Sequence, residues 1–317
     1  MALLTPLTED DAARVADAWQ LGAVARVTPI AAGSVNSSFL LDTARGRFFV
    51  RIYEEQSAEG AAFEWRLLDH LEAHGVPVAR RLRGPAPGEV TVASKPVGVF
   101  ECVEGVELCR RMVTPAHAAA VGDALARVHL ASDGFVIERS GRFDAPSLLV
   151  RLAGVSVAAH PELADPIARL RDVLTTLRAS ALPQGIVHGD LFRDNVRWEE
   201  TRVLAILDWE SACRGDFMFD VAVALFTWAW GDAFDWPVAR ALAGAYHRAR
   251  PLTREERLGI DHAARFACAR FATTRITDYY LRGGPGSPGY RDYGRFLARL
   301  DAVSAMREGE LAARLVD

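Results

Sequence analysis

The sequence is almost without lysine: of 37 lysine and arginine side chains in 317 residues, only Lys95 is a lysine. Arginine, alanine and glycine rise together under codon bias, so the arginine excess alone carries no phosphate-binding message. An excess of either sign of charge is also lacking, with a net charge of -4 and a pI near 6.1. That balance excludes the broad basic field that a nucleic-acid backbone requires. Apolar runs stay below the ~18 residues of a membrane span, and the start of the chain has neither a basic region nor a long apolar one. Neither export nor a membrane partner is expected. The four cysteines, Cys102, Cys109, Cys213 and Cys268, have no metal-type spacing. They read as reduced thiols of a cytoplasmic protein rather than a disulfide framework. Internal repeats and low-complexity tracts are absent as well.

What is present is ordinary globular material, 50% hydrophobic and 25% charged, enough for one or two cores. Thr8 followed by Asp11 starts a helix running to about Gln20, and residues 24–30 read as a strand. Short apolar runs at 39–42 and 47–53, joined by a turn at 43–46, have the pattern of a hairpin. Phe63, Leu67, Leu68 and Leu71 give helical spacing over residues 57–74. Strands are expected at 90–95 and 97–102, after the turn residues Gly84, Pro85, Pro87 and Gly88. From Thr114, with Pro115 at a first helical position, the chain becomes mainly helical. Strands at 185–188, 196–198 and 203–207 interrupt it once, around a polar loop, and Asp216 and Thr253 are further candidate caps. The chain therefore divides into a sheet-bearing lobe at 1–101, a linker at 102–110 and a helical lobe at 111–317. The expected class is α+β and bilobal, with a small antiparallel sheet in the first lobe.

The chemistry concentrates in residues 186–210, IVHGDLFRDNVRWEETRVLAILDWE. His188, Asp190, Asn195 and Asp208 lie on and around a loop between apolar strands. The continuous apolar run VLAIL at 203–207 is the mark of a strand buried on both faces, so Asp208 stands at a strand's mouth. Phosphoryl transfer needs a group that orients an attacking hydroxyl and accepts its proton, plus oxygen ligands for Mg²⁺ on the nucleotide phosphates. Asp190, Asn195 and Asp208 supply those parts, since Mg²⁺ takes one amide oxygen and one carboxylate readily when phosphate oxygens and water complete its shell. Chance alone produces four specified residues at fixed spacing in about two chains per thousand of this length.

HGDLFRDN followed by ILDWE resembles the catalytic core of the aminoglycoside phosphotransferase and choline kinase superfamily, which has a protein-kinase-like fold. The resemblance implies ATP and Mg²⁺ as cofactors, Asp190 as catalytic base, Asn195 and Asp208 as metal ligands, and His188 as an organiser of the loop. It also implies that Asp220, in FDVAVAL, braces the catalytic region. In the first lobe, AAGSVNSSF offers Ser34, Asn36 and Ser37 as candidates for approach to phosphate. The family's basic residue on the third strand is often lysine; here it is Arg51, with Glu64 as its expected partner. Arginine is a planar fork and not a point charge, so the exchange is not simply conservative. Lys95, as the lone lysine, is kept as a further nucleotide-side candidate. The backbone of Glu101 and Val103 is implied to meet adenine, with Gly105 relaxing the chain into the second lobe.

Within that superfamily the chain is most similar to the bacterial homoserine kinases, through PIAAGSVNSSF, SKPVGVF, GDALARVHLAS, HGDLFRDNV and ACARFATTRITDYY. The resemblance implies a small-molecule hydroxyl substrate, with homoserine the first choice, and a monomer or homodimer. Departures fall where acceptor should bind: Trp209, Glu210 and Ser211 after Asp208, and LFTWAW at 225–230. A zwitterionic acceptor needs partners for a carboxylate and an ammonium. Arg193, Arg270 and Arg275 are candidates for the first, and Glu210, Asp216 and Asp232 for the second. Phe226, Trp228 and Trp230 are either an aromatic wall or core. Two other readings stay open: the same chemistry on an aminoglycoside, macrolide, choline or other amino alcohol, and a nucleotide-binding pseudokinase that regulates without turnover.

Overall fold

Thr8 caps α1 (Glu9–Ala18) by accepting a hydrogen bond from the Asp11 N–H, and three acidic residues crowd its first turn, where the helix dipole favours them. The computed structural model describes residues 4–30, 35–136, 139, 141–176, 181–287 and 289–315. They fall into two units, Met1–Gly105 with Leu204–Leu207, and Val106–Val203 with Asp208–Asp317.

The first unit is built on β1 (Val24–Ile30), β2 (Ser37–Thr43), β3 (Gly46–Ile52), β4 (Thr91–Val92) and β5 (Lys95–Glu101), with α2 (Ala58–Ala73) following β3. The order β1-β2-β3-β5-β4 is antiparallel throughout. Alternation decides which side chains face inward: Val50 and Ile52 on β3 are fully buried, and Arg51 between them lies in register with Ser38 and Gly98 on the neighbouring strands. Leu41, Val50, Ile52, Tyr53, Trp65, Val97 and Val99 belong to one core cluster with Val15 and Trp19 of the first helical segment. Trp65 Nε1 donates to the Tyr53 hydroxyl at 3.0 Å, so this large buried ring leaves no polar atom unmet.

The strand expected at 90–95 is a hairpin instead. β4 turns at Ala93 and Ser94, both at positive φ (50° and 64°), and Lys95 begins β5 opposite Val92. Two left-handed residues in succession make the turn whose twist matches paired strands. Neither is glycine, so nothing in the local composition announces it.

The second unit contains α3 (Pro115–Leu130), α4 (Ala145–Ala153), α5 (Ala164–Thr176), β6 (Gln184–Val187), β7 (Val196–Glu199), β8 (Arg202–Ile206), β9 (Cys213–Asp216), α6 (Phe217–Trp228), α7 (Trp236–Ala249), α8 (Arg254–Arg275), α9 (Leu281–Gly283), α10 (Gly294–Ser304) and α11 (Glu310–Leu315). The last residues of β8 belong to the first unit, where Ile206 bridges Val78. Capping boxes at Thr114 with His117 and at Thr253 with Glu256 start α3 and α8, and Asp216 caps α6. α8 is the axis against which α4, α5, α6, α10 and α11 pack. β9 is a strand that sequence periodicity missed: four residues, mostly polar, paired antiparallel with β6 from Gln184↔Asp216 to Val187↔Cys213.

Candidate active site

β6 delivers the chain into the loop that carries the site. Beyond Val187, Gly189 turns at φ 74°, a left-handed conformation that suits glycine. Asp220, fully buried on α6, accepts the His188 N–H at 2.6 Å and the Gly189 N–H at 2.8 Å. The loop backbone is thus clamped on one carboxylate immediately before Asp190. The His188 ring is fully buried, accepts the Asp190 N–H at Nδ1 (3.2 Å) and packs 4.6 Å from the ring of Trp209. The imidazole thus holds the backbone of Asp190. Farther along, Leu191 is held from α6, its carbonyl accepting from Trp228 Nε1 (3.0 Å) and Thr227 Oγ1 (3.2 Å). Trp228 and Phe226 are fully buried, so this part of LFTWAW is core rather than a substrate wall.

Asp190 is half-buried, and its Oδ1 lies 3.4 Å from Arg270 Nη1 on α8. Burial pushes its carboxyl above the ordinary value of 3.8; Arg270 opposes the shift and Asp208 adds to it. A carboxylate raised in this way is a better proton acceptor than one in water. Asn195 closes a short helical turn, Arg193–Asn195, and its Nδ2 donates to the Asp190 carbonyl at 2.8 Å. With its N–H₂ committed to the backbone, its Oδ1 is the atom available as a ligand. Asp208 ends the β8 run at φ 64° and ψ 64°, half-buried, close enough to Asp190 for their charges to couple. One amide oxygen and one carboxylate beside a second acid are the donor set that suits Mg²⁺ completed by phosphate oxygens and water.

The remaining second-unit candidates are placed differently. Arg193 donates to the Thr227 carbonyl near the C-terminal end of α6, so its guanidinium fastens the loop to the helix. Glu210 is buried in the short turn that follows Asp208. Asp232 is exposed on the turn after α6, and among the described residues no hydrogen bond or ion pair joins it to Asp190. Arg275 donates to the Asp292 carbonyl at 2.7 Å. Arg291, which sequence reading passed over, pairs with Asp194 at 3.6 Å and adds positive charge toward Asp190 and Asp208. One arginine among so many has no signal of its own.

In the first unit, Arg51 Nη1 lies 3.1 Å from Glu64 Oε1, and Glu64 is 1% exposed. The guanidinium also stands over the rings of Phe49 and Phe100 at 5.8 and 5.9 Å. Asn36 Oδ1 accepts the Glu54 N–H at 3.1 Å. The Ser37 hydroxyl is fully buried; it donates to Glu54 Oε1 and accepts from the backbone of Leu4 and Thr5. Lys95 pairs with Glu54 and donates to Thr5 Oγ1 at 2.8 Å. Burial would raise the Glu54 carboxyl, but hydrogen bonds from Lys95, Ser37 and Thr5 hold it below its ordinary value. Ser37 and Lys95 thus close a structural network around Glu54. Glu101, at the end of β5, is exposed and faces Arg80 at 3.5 Å, and Val103 follows, half-buried and outside any helix or strand. Ser34 lies outside the described residues.

Behind Asp220 runs a buried polar chain that the sequence did not reveal. His129 Nε2 lies 3.4 Å from Asp220 Oδ2, its Nδ1 lies 2.6 Å from the Tyr246 hydroxyl, and Arg250 contacts both Tyr246 (3.3 Å) and Glu256 (2.7 Å). Burial lowers the His129 pKa below 6.5 despite Asp220. Between the lowered folded value and 6.5 the unfolded chain binds the extra proton, so stability falls as pH drops below about 6.5, by at most about 1.4 kcal/mol per pH unit. Melting temperatures from pH 7.5 to 5.5 should therefore fall less steeply in His129→Gln than in the wild type.

Residues 26–257 match the phosphotransferase enzyme family. The chain is 34% identical over 287 residues to the homoserine kinase of Nitrobacter winogradskyi, covering 88% of this chain and 87% of that one. It is 35% identical over 302 residues to the homoserine kinase of Afipia carboxidovorans, covering 90% and 89%. Among solved structures, an amicoumacin kinase in complex with AMP-PNP, Ca²⁺ and Ami superposes with a TM-score of 0.69 at 15% identity, covering 96% of this chain and 94% of that one. The protein belongs to the phosphotransferase enzyme family, and its α+β fold is the protein-kinase-like fold of that family's small-molecule kinases.

Proposed function

We propose that the protein is an ATP-dependent kinase that transfers the γ-phosphoryl group to the side-chain hydroxyl of L-homoserine, giving O-phospho-L-homoserine and ADP. The observation that carries the acceptor is similarity of 33–35% identity to homoserine kinases along most of the chain. The chemistry rests on Asp190, clamped through Asp220 and raised toward proton acceptance. Asp190 orients the acceptor hydroxyl and takes its proton; the oxygen attacks the γ-phosphorus in line, the bond to the β–γ bridging oxygen breaks, and ADP leaves. Asn195 and Asp208 would hold Mg²⁺, which when bound neutralises charge on the phosphate oxygens. In the first unit Arg51, kept in place by Glu64, is the candidate cation for phosphate. The backbone of Asn36 and Ser37 serves the same end, and that of Glu101 and Val103 meets adenine. Among the described residues no helix is long and apolar enough to cross a membrane. The four cysteines are free thiols, in keeping with a cytoplasmic enzyme.

ADP release with Mg-ATP against L-homoserine, L-threonine, choline, ethanolamine and kanamycin tests this reading. L-Homoserine is expected to exceed every other acceptor in kcat/KM by a factor of about 100 or more, because choline, ethanolamine and kanamycin lack the carboxylate and L-threonine carries its hydroxyl one carbon nearer to it. Preference for another acceptor discards homoserine. Tight nucleotide binding with no turnover on any acceptor would favour a regulator.

A further inference from the structure

Arg270 is unusual among the arginines of the second unit. It is 4% exposed, and its guanidinium lies 3.8 Å from the ring centre of Phe271 and 4.3 Å from that of Phe143. Two rings grip it, and a buried guanidinium so held is a fixed fork. Its one ion pair among the described residues is the 3.4 Å contact with Asp190, and its Nε has no hydrogen-bond partner. A charge taken out of water is tolerated when it is paired and its donors are met. Here the pairing is long, single, and made to the carboxylate that must turn toward the acceptor hydroxyl.

We infer that Arg270 binds the carboxylate of the acceptor and so selects hydroxy acids in which carboxylate and hydroxyl are separated by a short carbon chain. The inference rests on the kinase reading above and names what that site recognises. A carboxylate accepts two parallel hydrogen bonds from one guanidinium edge, which fixes its orientation as well as its position. In L-homoserine the hydroxyl oxygen stands about 5 Å from the carboxylate carbon when extended, by ordinary carbon–carbon bond lengths. An acceptor anchored on Arg270 therefore presents its hydroxyl within reach of Asp190, the neighbour at 3.4 Å. Cationic acceptors such as choline or an aminoglycoside bring positive charge to a buried cation instead, which is discrimination by repulsion.

The test compares L-homoserine with 3-aminopropan-1-ol, which lacks only the carboxylate, in the wild type, Arg270→Gln and Arg270→Lys. The quantity read is the ratio of the two kcat/KM values, because an effect passing through Asp190 moves both substrates and cancels. Losing charge-assisted hydrogen bonds is expected to lower that ratio by about 30-fold or more in Arg270→Gln. Arg270→Lys, which keeps charge and loses the fork, should fall between. Thermal melts with bound nucleotide confirm that the variants are folded. An unchanged ratio, with wild-type turnover of L-homoserine intact, overturns the carboxylate assignment and leaves the homoserine reading standing. If the wild type prefers another hydroxy acid, and Arg270→Gln loses that preference over the decarboxylated analogue, the assignment stands and homoserine falls. Wild-type preference for 3-aminopropan-1-ol or choline overturns both.

Discussion

Asp190→Asn is expected to lower kcat by about 10³-fold, within the range for loss of a positioned general base, while ATP affinity changes less than about threefold. The amide keeps the shape of the carboxylate, so loop geometry survives: the Asp190 N–H still meets His188 Nδ1, and the Asp190 carbonyl still accepts from Asn195. What disappears is the site that takes the hydroxyl proton. The same substitution should not lower the melting temperature at pH 7. Burial raises the Asp190 carboxyl above 3.8, so the ionised form is held in the fold at a cost, which a neutral isostere removes. The loss of the ion pair to Arg270 works the other way, but at 3.4 Å that pair is long. A variant that is inactive yet no less stable is the signature of a group placed for chemistry. Single-turnover phosphoryl transfer, calorimetric ATP titration and a thermal melt on one preparation check all three statements. Turnover within tenfold of wild type would move the proton to water and remove Asp190 from the role of base.

Why some of this was legible beforehand follows from distance along the chain. Caps act within three residues, so Thr8, Thr114, Asp216 and Thr253 are readable from their neighbours. The run from His188 to Asp208 is readable because loop, strands and chemistry lie in one continuous stretch. The Arg51–Glu64 pair spans only a strand and the start of a helix. Interactions closed by tertiary packing were not readable: Arg270 meets Asp190 from 80 residues away, His129 meets Asp220 from 91, and Lys95 reaches Thr5 across 90. The same holds for β9, which is a strand because β6 needs a partner, and not because of its own sequence. Lys95 stood out by composition, yet it is committed to the buried carboxylate of Glu54. Rarity of a residue type is no evidence of function.

Gly122→Ala, in α3, is expected to give the largest loss of stability from a single methyl group, because α3 crosses α7 there with backbone against side-chain-free backbone. A Cβ on Gly122 would overlap the Leu242 carbonyl oxygen and stand 3.0 Å from its carbon and 3.1 Å from the Tyr246 nitrogen. Both obstacles are main chain inside a regular helix, so neither can rotate away, and the helices must separate. Overpacking of a tight core costs about 1–3 kcal/mol and more where backbone has to move. Against that stands the gain of about 1 kcal/mol that alanine brings over glycine within a helix. The net loss of about 2 kcal/mol corresponds to a fall of roughly 3 °C in melting temperature for a chain of this size. Gly244→Ala supplies the contrast on the partner helix: its Cβ would meet only the tip of Arg248, at 3.4 Å. There the propensity term acts alone, and the melting temperature should rise slightly. The position matters for function as well, since Tyr246, which the displaced α7 carries, holds His129 and through it Asp220. Gly122→Ala should therefore lose activity at temperatures where it is still folded, whereas Gly244→Ala should not. Melts and initial rates on the two variants separate these outcomes, and equal behaviour would show that the α3–α7 crossing is not what sets the catalytic loop.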